Sequence, residues 1–410
     1  MVSNYDIIMS SFLKLKTYCE KERFKGWDPY DGLNSEVFSK IPFLANNRTA
    51  RLFWIQFFKR SPINFRSIAR VEKGVNPKGL GLFLSGYCNL YKLDPEHVDL
   101  ENIHFLADSL LSLSSVGYSG KCWGYNFDWQ ARAFFQAKNT PTVVATTFIA
   151  SALINAYELT GKIDYLEAAV DSSQFVLKDL NRTYNEKGDF CFSYSPKDST
   201  QVFNASLLGS KLLGRVYKYT KDTECLEAAL SSVRYCCDAQ KADGAWAYGT
   251  LPYHQWVDNF HTGFNLETLM SFQMDTGIDD FSEEIQKGVA YYLKNFFTVE
   301  GAPKYFDNQM YPIDIHASAQ LVITMSRLNM FHDQRVLIDK VLKWTIQNMQ
   351  DKEGFFYYQL RKHYSNKIPY MRWAQAWMFY AMTEYLLCTE KSKKALKMEN
   401  LFVVKEPFLN

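Results

Sequence analysis

The chain has almost no net charge, no long apolar run and no cysteine pairing pattern. Lys and Arg total 46 against 44 Asp and Glu, a formal charge of +2. Such a balance gives no long-range field to recruit nucleic acid, and no basic cluster interleaved with aromatics stands out, so no nucleic-acid partner is expected. No stretch approaches the roughly 18 consecutive apolar residues of a membrane span. The first twenty residues set Asp6, Lys14 and Lys16 around a short apolar run, unlike a secretory signal. The reading is a soluble, cytoplasmic chain without a membrane span. Its eight cysteines are scattered, with no C-x-x-C and no Cys/His zinc spacing, and are expected to be reduced and structural. A phosphate-binding Gly loop, a dinucleotide fingerprint, H-E-x-x-H and G-x-S-x-G are all missing. No cofactor and no metal are expected.

What the chain does have is aromatic surface: 31 Phe, 26 Tyr and 9 Trp among 410 residues, 16% in all. Many lie in loop-like stretches rather than on helix faces. From about residue 77 a pattern returns at roughly 55-residue spacing, the signature of a repeat architecture. Each unit reads as an apolar helix, a short turn, an amphipathic helix and a Gly- and aromatic-rich loop. The apolar helices start near Thr142, Thr200, Asn259 and Asp314. An amphipathic partner such as Phe281, Ile285, Val289, Leu293 and Phe296 carries one apolar stripe at steps of three and four, as an outer helix leaning on an inner ring would. The short turns at Gly161 and Gly277 favour antiparallel pairs.

About six such pairs are counted, the last near 371–389 closing against N- or C-terminal helices. The predicted fold is therefore all-α, an (α/α)6 toroid at 77–395, with an N-terminal helical segment at 1–76 packed on it and a C-terminal tail at 396–410. An open solenoid would end in polar capping repeats, whereas the last helix carries Trp373, Trp377, Phe379, Tyr380 and Tyr385.

In such a ring the inner-helix N-termini gather at one end. Aligning Phe203-Asn204-Ala205, Phe260-His261-Thr262, Ile315-His316-Ala317 and Arg372-Trp373-Ala374 puts Asn204, His261, His316 and Trp373 at equivalent places of successive first turns. Around them fall Trp123, Tyr125, Asp128 and Arg132, then Tyr253, His254, Trp256 and Asp258, then Asp314, Tyr370 and Arg372. Aromatic faces mixed with directional hydrogen-bonding groups in a concave site suit a sugar.

Two chemistries compete for these residues. A hydrolase needs a carboxyl acid and a carboxyl base, and Asp128 with Asp258 or Asp314 is the expected pair. A uronate lyase or epimerase would abstract a proton with His261, His316 or Tyr370 while Arg372 or Arg132 neutralises charge. A non-catalytic glycan binder is the third reading. Helix N-capping accounts equally well for Asp258 and Asp314, an i, i+4 ion pair for Asp128 and Arg132, and core packing for Trp123, Trp256 and Trp373.

The repeat, together with loops such as WGYNFDWQAR and DNFHTGFNLE, resembles the six-hairpin glycosidase-like superfamily over about residues 77–390. The resemblance implies a carbohydrate-active enzyme, hydrolase, lyase or epimerase, on an (α/α)6 toroid. It carries no catalytic signature from which residue roles follow. FKGWDPYDGLNS resembles a segment of uncharacterised bacterial chains associated with surface-polysaccharide genes, which implies a place in glycan metabolism. Terpene cyclases and prenyltransferase β-subunits share the toroid, but the D-x-D-D acid motif and a Cys/Asp/His zinc set are absent here.

Overall fold

The computed structural model describes residues 3–98, 100–132 and 134–389. The expected tail at 396–410, and the last residues assigned to the toroid, lie outside the described residues. The chain begins with α1 (Asn4–Lys21), the single turns α2 (Glu36–Ser39) and α3 (Pro42–Ala45), and α4 (Arg48–Arg60). Five hairpins follow: α5 (Pro77–Leu93) with α6 (Leu100–Ser112), α7 (Val143–Thr160) with α8 (Ile163–Gln174), α9 (Phe203–Thr220) with α10 (Thr223–Asp238), α11 (Asn259–Thr276) with α12 (Ser282–Asn295), and α13 (Ile315–Arg327) with α14 (Arg335–Met349). A π-helical stretch, Met371–Ala376, leads into α15 (Trp377–Cys388).

The first helix of each pair packs against the first helix of the next, and α15 packs against both α13 and α5. The inner ring is therefore closed, and the fold is an all-α (α/α)6 toroid. Its sixth outer helix is α1, seated against α15 and α14, so the ring takes one member from the segment that the repeat pattern had set apart at 1–76. Inner helices bury most of their surface: α7 is long and apolar enough to cross a membrane, yet it is packed between α5 and α9.

Local chemistry sets the helix ends. Asn76, Thr142, Asp258 and Asp314 cap α5, α7, α11 and α13 by accepting backbone N–H groups. Gly161 and Gly277 end α7 and α11 in the left-handed region, at φ 69° and 80°. Because each outer helix runs back, all six inner N-termini emerge at one end, the mouth. Small hairpins decorate the loops there: β1 (Trp129–Gln130) with β2 (Phe135–Gln136), β3 (Arg182–Tyr184) with β4 (Phe190–Phe192), and β5 (Ile313–Asp314) with β6 (Gln359–Leu360) and β7 (Ser365–Asn366), all antiparallel.

One contact recurs around the ring. A Cβ on Gly244 would fall 2.3 Å from the carbonyl oxygen of Lys287 on α12, one on Gly301 2.8 Å from that of Lys340 on α14, and one on Gly354 2.4 Å from that of Lys14 on α1. Each loop glycine thus lies flat on the next outer helix, and Gly354 treats α1 as its neighbours treat α12 and α14. Gly188 has a similar φ of +85° but nothing within 4 Å. Gly354→Ala should therefore cost about 2 kcal/mol or more, visibly more than Gly188→Ala, which meets backbone strain without a clash. Urea unfolding of the two variants measures the difference; equal losses would detach Gly354 from ring closure.

Candidate active site at the inner-helix N-termini

Two capping aspartates organise the mouth. Asp258 accepts the backbone N–H of His261 at 2.9 Å and also holds the His261 ring, Nδ1 lying 2.8 Å from its Oδ2. That leaves Nε2 as the free ring nitrogen on a side chain about one-fifth exposed. Asp314 is fully buried: Oδ1 accepts the backbone N–H of His316 at 3.0 Å and Trp373 Nε1 at 2.9 Å, while Oδ2 accepts Gln359 Nε2 at 2.6 Å. Burial pushes its carboxyl up to about 6, against the opposing pull of these hydrogen bonds.

His316 sits in an aromatic cage. Its ring stacks on Phe260 at 4.5 Å, lies 4.2 Å from Trp377 and meets Trp373 edge-on at 5.4 Å. Neither ring nitrogen has a hydrogen-bond partner. Burial, then the nearby Lys78, His261 and Arg372, holds its pKa well below the usual imidazole range, so the ring is neutral. Phe260 and Phe264 each touch both histidines, so the two rings share one aromatic floor.

Beneath them lies Lys78, in the first turn of α5. Its Nζ lies 4.5 Å from the Phe148 ring centre and 5.2 Å from that of Trp377. Burial and then Arg372 lower its pKa well below the ordinary lysine value. Arg372 is fixed by Asp28 through two contacts, Nε to Oδ2 at 2.5 Å and Nη2 to Oδ1 at 2.8 Å. A second buried pair, Arg66 Nε to Asp31 Oδ1 at 2.7 Å, braces the same turn, and Arg66 also donates to the Asp28 carbonyl. These pairs tie the stretch between α1 and α5 across the mouth. Tyr30, on that stretch, leans on Trp373 at 5.7 Å and on Trp129 at 6.0 Å, with Lys59 Nζ donating to its hydroxyl.

The residues expected from the sequence separate accordingly. His261, His316, Trp373, Asp258 and Asp314 come together. Asn204 occupies the first turn of the adjacent α9, with its Oδ1 buried and unpartnered, and Phe203 N bonds the carbonyl of Tyr248, whose ring lies 4.7 Å from His261. Trp256 stacks on Tyr248 at 4.3 Å and 14°. Tyr253 and His254 stand on the rim with Arg132, whose guanidinium lies over the Tyr253 ring at 5.7 Å. Beside them a depression of about 360 Å³ opens between Phe134, Asp198, Gln201 and Tyr253.

Four expectations are corrected. Trp123 is a fully buried core residue whose Nε1 donates to the Leu110 carbonyl, so it offers no sugar platform. Tyr370 is buried beneath the Arg66 guanidinium with its hydroxyl 3.5 Å from the Phe58 carbonyl, which removes it as a base. Asp128 accepts the backbone N–H of Lys138 in a surface loop rather than pairing with Arg132 or facing another carboxyl. Arg372 already has its counter-ion in Asp28, and Tyr125, beneath it, shares a hydroxyl–hydroxyl contact with Tyr194 at 3.0 Å. Lys78, Asp28 and Tyr30 were missed. Lys78 carried a readable signal, since it follows its cap Asn76 by two residues as His316 follows Asp314. Among the described residues no cluster of three or more His, Cys, Asp or Glu is placed to hold a metal ion.

Comparison with known proteins supports the fold. No family model and no curated protein matches the chain. Among solved structures, a sugar epimerase from a ruminal bacterium aligns over 77% of this chain and 90% of its own, with 14% identity and a TM-score of 0.59. The cellobiose 2-epimerase of Bacillus thermoamylovorans aligns over the same shares at 11% identity and TM-score 0.59. An unsaturated glucuronyl hydrolase specific for heparin aligns over 93% of this chain and 96% of its own, at 12% identity and TM-score 0.59. This chain has their toroid.

The buried carboxyls predict a pH dependence of stability. Asp314 and Asp31 both move from 3.8 in the unfolded chain to about 6 in the native one, chiefly through burial. The native state therefore keeps protons that the unfolded state has lost, and this contribution falls as pH rises from about 4 to about 6. Asp314→Asn should flatten the decline by removing one of the two titrations. Urea midpoints between pH 4 and 6.5 test this; an unchanged slope would mean that Asp314 ionises normally.

Proposed function

We propose that this protein is a carbohydrate-active enzyme that moves a proton at a sugar carbon, an epimerase or isomerase, using two histidines rather than two carboxylates. The observation that carries this reading is the pair itself: His261, oriented by Asp258 with Nε2 free, and His316, neutral with both nitrogens unpartnered, stand on one aromatic floor. An imidazole oriented through Nδ1 by a buried carboxylate presents Nε2 for proton transfer, and a neutral imidazole beside it can take a proton.

In this mechanism the open-chain sugar lies against Trp373 and the stacked Trp256 and Tyr248 rings. His316, the neutral ring, takes the proton from the carbon beside the carbonyl, and the electrons pass into an enediolate. For the step to balance, His261 must start with a proton on Nε2, which it returns to the opposite face, and exchange with water then resets both rings. Carbon configuration inverts, and the reaction is balanced without an outside oxidant.

A hydrolytic reading has one specific support, the elevated Asp314 carboxyl, which lies in the range of a general acid. Its oxygens are occupied by Trp373, Gln359 and the His316 amide, and among the described residues no second uncommitted carboxyl accompanies it. The proton-transfer reading therefore ranks first.

Incubation with free aldoses and reducing disaccharides in D2O should place deuterium at the carbon next to the carbonyl, read by NMR. His261→Gln and His316→Gln should each lower turnover by about 10²–10⁴-fold while retaining the wild-type unfolding midpoint within a small margin. Glycosidic cleavage without deuterium uptake would sink this reading in favour of hydrolysis. Binding of sugars with no turnover would leave a glycan-binding protein.

A further inference from the structure

The segment that crosses the mouth is chemically unlike the rest of the chain. Residues 36–73 contain eight Lys and Arg against only Glu36 and Glu72; with Arg66 buried against Asp31 and Lys73 paired with Glu22, the other six against two leave a net +4 in a chain whose total is +2. The near-neutral whole therefore hides a basic cluster interleaved with aromatics, which the composition had argued against. The same stretch exposes large apolar side chains: Phe43 and Ile68 at 77%, Phe53 at 71% and Ile63 at 62%. On α4, Ile55 and Phe58 face inward, while Phe53, Phe57 and Arg60, spaced four and three apart, share the outward stripe.

We propose that this layer is a docking surface for an anionic lipid bilayer. Isolated Phe and Ile side chains set among Lys40, Arg60 and Arg70 match an interfacial surface, in which apolar groups enter the headgroup region while cations meet lipid phosphates. A second copy of the chain fits poorly, because a two-fold contact would oppose two faces of the same positive charge. Protein interfaces also gather their apolar groups centrally and deplete lysine. Single-stranded nucleic acid fits less well, since of this layer's four most exposed apolar side chains only Phe43 and Phe53 could stack on bases while Ile63 and Ile68 offer no ring. Because the layer lies over the mouth, docking through it turns the cup toward the membrane surface, where bilayer-borne glycans would reach it. The proposal is independent of the proton-transfer chemistry.

Co-sedimentation of the full chain with vesicles of phosphatidylglycerol and phosphatidylcholine provides the test. Binding should require phosphatidylglycerol and weaken steeply with salt. Lys40→Gln, Arg60→Gln and Arg70→Gln together should reduce partitioning by about a hundredfold, taking roughly fivefold per charge. Phe53→Ser with Ile68→Ser should abolish it with unchanged thermal unfolding and unchanged turnover of soluble sugars. Absence of binding, equal binding to phosphatidylcholine alone, or retention of binding by both variant sets would overturn the proposal. So would self-association by ultracentrifugation, or binding of a single-stranded oligonucleotide, if either is lost in the same variants.

Discussion

Closure of the ring by the two ends of the chain is the constraint on which everything else rests. Helix α15 can complete the inner ring only if something covers its outer face, and α1 does so, with Phe12 packed edge-on against Phe379 at 5.2 Å. Gly354 then lies on the Lys14 carbonyl as the other loop glycines lie on their outer helices. A contact spanning some 340 residues in sequence is bought with chain entropy; the burial of continuous apolar surface on both sides of α15 offsets it.

The long crossing segment follows from that closure. α1 ends at the mouth and α5 begins there, so residues 22–76 are the sixth mouth loop, enlarged into a layer. Two buried ion pairs hold it, Asp28 with Arg372 and Asp31 with Arg66. Neither is a simple gain in stability, because burying each charge is costly. Their effect is positional: once buried, each charge strongly penalises loss of its partner, and the layer is locked over the cup. Arg372 is thereby committed to structure, and Lys78 is left as a buried amine of the cup with its pKa lowered by burial and no salt bridge among the described residues.

The same economy of partners separates the two chemistries. Asp258 and Asp314 satisfy backbone N–H groups of helix ends before anything else, and their remaining lone pairs go to His261, Trp373 and Gln359. What remains unsatisfied at the mouth is imidazole nitrogen and, beside it, the Asn204 amide oxygen. Chemistry at this site is accordingly argued from the histidines, with the carboxylates as their supports.

The hairpin repeat, the inner and outer helix roles and the gathering of Asn204, His261, His316 and Trp373 at one end were legible in the sequence. Each follows from local periodicity and caps, which depend on residues a few positions apart. The membership of α1 in the ring was not legible, because its partners α14 and α15 lie more than 300 residues away and its own stripe names no neighbour. Nor was the fate of each polar group: whether Asp128 faces a sugar or a backbone amide, whether Arg372 is free or paired, and whether Trp123 lines a cup or fills a core are questions of which distant side chain arrives first. Sequence alone determined the elements and their order, since these are set by short-range hydrogen bonding and apolar spacing. Tertiary structure decided which charges are spent on holding the fold and which are left for chemistry, since pairing of buried ions depends on proximity that no local pattern encodes.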